Sequence, residues 1–187
     1  MTAFFEIAAV LLGLAQGVLV MLGKRSNWIF YTLQMAALTA FSILSHLYGD
    51  TVSSLFYFCL GIVGFALWHK DKARPIRACS IRERCVYIAV IAVGTLLAFL
   101  ALRQTGDPLP LLDAFTTVSS LAATYYMLTK RLDAWVLWLI NDIAYVAEYW
   151  LLPDTALYLL LLNLVWTGMA VASLLAWKRK MAKGEPI

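Results

Sequence analysis

Charge is what this sequence has least of. Only 14% of its 187 residues are charged and 63% are hydrophobic, which excludes a soluble all-helical domain, because such helices need a polar face. Cysteine occurs three times, at Cys59, Cys79 and Cys85. An odd number without CxxC spacing points to neither a disulfide framework nor a zinc site, and no cofactor is implied. A GxxxxGK[ST] loop is missing, so the chain has no nucleotide-driven motor of its own. The opening MTAFFEIAAV lacks a positive region and a small-residue cleavage motif. Its apolar run is therefore expected to be a retained span and not a signal peptide.

What is present is a series of long apolar runs. They predict an all-α membrane protein with seven transmembrane helices near 5–22, 28–47, 52–68, 85–102, 112–129, 135–151 and 156–177. The formal charge of +4 does not mark a nucleic-acid surface, because the basic residues fall in the breaks between runs. Lys24, Arg25, Lys70, Lys72, Arg74, Arg77, Arg82, Arg84, Lys130, Arg131, Lys178, Arg179, Lys180 and Lys183 lie on one side, leaving only Arg103 on the other. The positive-inside rule then puts the N-terminus outside and the C-terminus in the cytoplasm of a bacterial inner membrane. The basic run HKDKARPIRACSIRERC is read as a topology signal, with lipid headgroup binding as the alternative.

Two stretches share a pattern: FFEIAAVLLGLAQGVLVMLGKRSNWIFYTLQ and LLDAFTTVSSLAATYYMLTKRLDAWVLWLIN. Glu6 matches Asp113, Lys24-Arg25 matches Lys130-Arg131, Trp28 matches Trp135, Tyr31 matches Trp138 and Gln34 matches Asn141. A three-residue gap then aligns Asp50 with Asp154. This predicts parallel repeats in a 3+1+3 order: a first repeat at 1–68, a basic cytoplasmic loop at 69–84, a linker helix at 85–103, a second repeat at 104–177 and a cytoplasmic tail at 178–187.

The sixth span carries a polar stripe. On a helical wheel Trp135, Trp138, Asn141, Asp142, Tyr145, Glu148 and Tyr149 share one arc, opposite Val136, Leu139, Ile140 and Ile143. Carboxylates at membrane depth cost several kcal/mol on insertion scales, so Asp142 and Glu148 are expected to face the bundle interior or a water-filled cavity. The second span holds a weaker copy in Trp28, Tyr31, Gln34, Ser42, Ser45 and His46. Two facing stripes would form a cage of aromatic planes, amides and carboxylates suited to a planar heteroaromatic ligand. Asn163 and Trp166 of the seventh span are expected to face the same cavity, and Gly168 to permit close helix packing. Trp28 and Trp135 also suit the interfacial aromatic belt, Glu148 also suits proton coupling, and Glu6 and Asp113 suit either an interfacial or a cross-helix role. An intramembrane enzyme is the rival reading, but Asp142 and Glu148 are about 9 Å apart along the axis and about 120° around it.

WVLWLIND after a KR pair, the acidic starts at Glu6 and Asp113, and LYGD leading into a Trp-ended span resemble the PnuC transporter family over most of the chain. That resemblance implies a fold similar to the sugar-transporting SWEET proteins. It also implies facilitated diffusion of nicotinamide riboside, thiamine, riboflavin or a deoxynucleoside, trapped by a cytoplasmic kinase. The family's Trp-x2-Trp with an Asn four positions on falls here on Trp135, Trp138 and Asp142, with Asn141 one residue earlier. Gly61 and Val63 stand where nicotinamide riboside members carry polar or aromatic groups. A carboxylate favours a cationic ring such as a pyridinium or thiazolium; a deoxynucleoside would use Asp142 as an acceptor. A SWEET-type sugar carrier shares the architecture, though the Trp-rich stripe favours planar ligands. Exposed apolar faces permit a monomer or a homo-oligomer. The orientation is checked by a reporter fused after Ile187: activity of a cytoplasm-dependent reporter is expected, and activity of a periplasm-dependent one would reverse the topology.

Overall fold

The computed structural model describes residues 2–46, 48–71, 74–151 and 157–185. Seven α-helices follow one another: α1 Thr2–Met21, α2 Asn27–Leu44, α3 Tyr48–Lys70, α4 Ile81–Leu102, α5 Pro110–Leu128, α6 Asp133–Leu151 and α7 Leu157–Lys183. Five of them (α1 to α4 and α7) are long and apolar enough to cross a membrane. The remaining two, α5 and α6, have 19 residues each, about 28 Å at the helical rise, close to the hydrocarbon thickness. They are less apolar because they carry the hydroxyl run TTVSS and the polar stripe. These groups turn inward: Thr116, Ser119, Ser120, Thr124, Asn141 and Asp142 are buried, while Leu111, Val136, Ile140 and Ile143 are exposed. Exposed apolar side chains such as Leu11, Leu33, Ile62, Leu97 and Leu164 complete a lipid-facing surface.

The chain divides into two compact units, residues 1–74 and 75–185. In the first, α2 packs against α1 and α3. Glycine makes the α2–α3 approach possible: a Cβ on Gly64 would lie 2.3 Å from the Trp28 indole, and one on Gly61 would lie 2.3 Å from Thr32 Oγ1. Gly61 and Gly64 therefore lie on the face of α3 that meets α2, where a bulky side chain has no room, whereas Val63 is exposed. Trp28 is wholly enclosed and meets Trp68 edge to face, with centroids 5.7 Å apart at 80°.

In the second unit the order of packing is α4 on α5, α5 on α6, and α6 on α7. Trp135 meets Trp177 edge to face, 5.3 Å apart at 84°. The α5–α6 turn resembles the α1–α2 turn in detail. Gly23 and Lys130 both adopt left-handed backbone, with φ of 68° and 55°. After each, an amide closes on a carbonyl five residues back, Lys24 N–H to Leu19 O at 2.8 Å and Arg131 N–H to Tyr126 O at 2.9 Å. Gly23 thus corresponds to Lys130 and Lys24 to Arg131, in the same ungapped register as Trp28 and Trp135. The pairing of Lys24-Arg25 with Lys130-Arg131 expected from the letters is off by one position. Glycine takes the left-handed site in one turn, and in the other a buried lysine takes it. The proposed match of Asp50 with Asp154, and Tyr149 on the α6 stripe, fall outside what the structure describes.

Helix α4 begins at Ile81, earlier than the apolar run suggests, because Ser80 and Glu83 form a capping box. Residues 75–80 form a strap along the α5–α6 turn: Arg77 exchanges backbone bonds with Lys130 and Leu132, and Cys79 N–H donates to Asp133 at 2.7 Å. Glu83 accepts from Arg77 and from Arg131 at 2.8 Å each, and Arg84 pairs with Asp133 at 2.7 Å. The basic run therefore pairs Arg77 and Arg84 with carboxylates of its own chain, though both side chains stay about half exposed. At the other end, α7 runs on to Lys183, so the basic tail is mostly helical. Gly168 is exposed with no atom of the described residues near its Cβ position, so it is not a packing contact there.

Gly64→Ala is expected to lower stability by about 1–3 kcal/mol through displacement of Trp28, whereas Gly168→Ala should leave the melting temperature unchanged. Equal melting temperatures for both would refute the wedge. Burial pushes the Cys79 thiol above its ordinary range, and the neighbouring Asp133 carboxylate adds to this. The thiolate fraction at neutral pH falls accordingly, so a water-soluble maleimide should label Cys79 more slowly than a free thiol at pH 7, with the rate climbing at alkaline pH. Free-thiol rates at pH 7 would show that the strap is open.

Candidate functional site

The stripe on α6 is where the second unit concentrates polar groups. Its residues recur at three- and four-residue steps, so one helix face presents them in a column. Starting from the N-terminal end of α6, Trp135 is 6% exposed and locked against Trp177. One turn further, Trp138 is half-buried and makes no ring contact among the described residues. Asn141 follows at 0% exposure and Asp142 at 6%. Tyr145 and Glu148 are half-buried towards the C-terminal end.

Helix α5 supplies the partners. Ser119 Oγ donates to Asn141 Oδ1 at 2.7 Å, and Thr116 Oγ1 reaches Glu148 Oε2 at 3.3 Å. Asp113 accepts from Thr117 at 3.3 Å near the start of α5, while Glu6 on α1 is exposed. The Asn141 amide nitrogen is buried without a partner. Asp142 makes no hydrogen bond or ion pair among the described residues. Two adjacent buried polar side chains with unused capacity are unusual in a membrane interior, where an unmet polar group costs several kcal/mol.

From α7, Asn163 is buried and Trp166 half-buried, and Thr167 Oγ1 bonds back to the Asn163 carbonyl at 2.8 Å. In the first unit, Tyr31 and Gln34 are half-buried, Tyr31 meeting Trp28 edge to face at 5.7 Å. Ser42 is buried, His46 is exposed in left-handed backbone, and Ser45 caps α2. Thr39 bonds to Ser54 at 2.9 Å across α2 and α3. Of the two roles open to Trp28 and Trp135, the aromatic belt requires a ring at the lipid interface, and both rings are enclosed instead.

Sequence reasoning passed over Ser119 and Thr116, the two hydroxyls that meet the stripe. Their signal was present in TTVSSLAAT, a column of small polar residues at helical spacing that reads equally well as a surface for close helix packing. Also missed was the strap, although Ser80-Ile81-Arg82-Glu83 has the capping-box pattern.

Comparisons with known proteins agree with the all-helical architecture. The family model described as "Nicotinamide mononucleotide transporter" matches residues 3–179. The chain is 28% identical over 171 residues to the nicotinamide riboside transporter PnuC of Neisseria mucosa, covering 84% of this chain and 65% of that one. It is 30% identical over 132 residues to the PnuC of Haemophilus influenzae, covering 65% and 58%. It is 28% identical over 131 residues to the riboflavin/roseoflavin transporter RibM of Streptomyces davaonensis, covering 64% and 61%. The chain thus spans less than two thirds of the length of these curated relatives. Among solved structures, the crystal structure of the vitamin B3 transporter PnuC superposes with a TM-score of 0.80 at 25% identity, over 98% of this chain and 84% of that one. With the family model covering nearly its whole length and the apolar helices to match, this chain is a membrane protein of the PnuC, or nicotinamide mononucleotide transporter, family.

Proposed function

We propose that the chain carries a small planar heteroaromatic vitamin or nucleoside across the bacterial inner membrane by facilitated diffusion. Nicotinamide riboside leads as substrate, ahead of thiamine, riboflavin and deoxynucleosides. The observation that carries this reading is the neighbourhood of Trp138: an indole free of ring partners among the described residues, beside Asn141, whose buried amide nitrogen has no partner, and the buried Asp142. An indole face stacks a planar ring, a carboxylate attracts a cationic one or accepts from a hydroxyl, and an amide fixes orientation. Tyr145, Asn163 and Trp166 extend the site on α6 and α7, and Tyr31 and Gln34 carry the corresponding stripe on α2 of the first unit. Relatives named for nicotinamide riboside and riboflavin transport support a planar ligand over a sugar, and transport over an intramembrane enzyme.

The architecture that serves this function is read as seven crossings in a SWEET-like 3+1+3 order, N-terminus outside and C-terminus in the cytoplasm. Matching turns at Gly23 and Lys130 and matching indole pairs, Trp28 with Trp68 and Trp135 with Trp177, support a duplication. Downhill entry would be made productive by a cytoplasmic kinase that phosphorylates the arriving molecule.

Titration of the purified protein with nicotinamide riboside, thiamine, riboflavin and thymidine, followed by tryptophan fluorescence or calorimetry, tests the site. Saturable binding of one ligand is expected, weakened roughly tenfold or more in Trp138→Ala by loss of stacking. Asp142→Asn is expected to weaken a cationic ligand more than a neutral one. Failure of all four ligands to bind would remove the vitamin and nucleoside reading.

A further inference from the structure

In the topology read from the basic residues, Arg103 stands alone on its side of the membrane. It caps the C-terminal end of α4 and is exposed, with its guanidinium 6.0 Å from the centre of the Phe99 ring. No carboxylate pairs with it among the described residues, in contrast to Arg77, Arg84 and Arg131 at the other end of the same helices. A guanidinium on an aromatic ring at a helix end holds its charge at headgroup level while its stem lies along apolar surface.

Phe99 also lines a cleft. About 260 Å³ opens between the end of α4 and the start of α5, walled by Phe99, Pro108, Leu109, Pro110, Leu111 and Leu112. Every one of these side chains is apolar. Two prolines restrict the loop that forms one wall, and its only carboxylate, Asp107, accepts the Leu109 N–H at 2.7 Å, which engages that charge with the loop's own backbone. Leu111 in the wall is exposed, and the last turns of α4 expose Leu96, Leu97 and Leu100. The cleft therefore belongs to the apolar surface that is turned to hydrocarbon.

An apolar cleft beside a cation that the chain leaves without a counter-charge has the chemistry of a phospholipid, with an acyl chain for the cleft and a phosphodiester for the guanidinium. A free anion gains nothing from the cleft, and a hydrocarbon chain alone gains nothing from Arg103. We infer that the cleft and Arg103 form a binding site for a phospholipid of the leaflet on that side, which fastens the end of α4 to the start of α5. The site uses no residue of the α6 stripe and does not depend on which molecule is carried.

The test counts molecules retained by the full-length protein in native mass spectrometry after release from micelles doped with one of three probes. These are phosphatidylglycerol, diacylglycerol with the same chains, and glycerophosphoglycerol, the headgroup without chains. Saturable binding of one phosphatidylglycerol is expected, roughly tenfold weaker in Arg103→Gln and in Leu111→Gln. Both variants change exposed side chains, so their melting temperatures in lipid-free detergent should match that of the unaltered protein. Arg179→Gln removes an exposed cation from the last turns of α7 and should bind as the unaltered protein does. Absence of saturable binding, or equal affinity in Arg103→Gln and the unaltered protein, would overturn the inference. So would equal uptake of diacylglycerol, which needs no cation, or of the chainless headgroup, which needs no cleft. Equal weakening in Arg179→Gln would reduce the effect to overall charge and sink the site. An assembly of several chains that excludes the lipid and comes apart in Leu111→Gln would give the cleft to a second copy instead.

Discussion

A bilayer offers no hydrogen-bond partner, and every polar atom inside it must find one within the protein. The helices meet that requirement for the backbone. Many hydroxyls meet it locally, by bonding to the carbonyl one turn back: Thr32 to Trp28, Thr39 to Met35, Thr116 to Leu112, Thr124 to Ser120 and Thr167 to Asn163. The Asn141 amide nitrogen is an exception among the described residues, as are the Trp28 and Trp135 indole nitrogens, Thr95 Oγ1 and Ser173 Oγ. The proposed binding site is built around the Asn141 donor, with the buried Asp142 beside it and Trp138 one turn before.

Such a site needs rigid surroundings, because a few ångströms of slack would let the exceptions find partners. Packing supplies the rigidity. In the first unit Gly64 leaves room for the Trp28 ring, which in turn abuts Trp68. In the second, Trp135 is fixed by Trp177 one turn before Trp138, and α5 lays Ala114, Ser119, Ala123 and Thr124 against its neighbours. Small residues let helix backbones approach closely, and the large rings fill what remains.

Charge is handled separately, at the ends of helices. The strap from 75 to 80 brings Arg77, Arg84 and Arg131 onto Glu83 and Asp133, so the start of α4 is tied to the α5–α6 turn. The helix expected as a free linker therefore belongs to the second unit in both packing and ion pairing. The turn it grips immediately precedes the stripe on α6, which gives the strap a direct mechanical connection to Trp135 and Trp138.

Composition and apolar runs by themselves determined that the chain is a helical membrane protein, placed its seven helices to within a few residues except at the α3 and α4 starts and the α7 end, and put the polar stripe on one face of α6. These properties follow from the solvent: a bilayer selects length, apolarity and helical periodicity, and all three are local. Capping at Ser80 was also local, yet charged residues on either side concealed the start of α4. What only the tertiary structure decided is which polar groups meet. Ser119 with Asn141, Thr116 with Glu148, and Glu83 with Arg131 are separated by 22, 32 and 48 residues, and nothing in one helix specifies the register of the next. The off-by-one match of the two basic turns has the same origin. Backbone conformation at Gly23 and Lys130 fixes the equivalence, and a lysine in left-handed backbone leaves no mark in the letters.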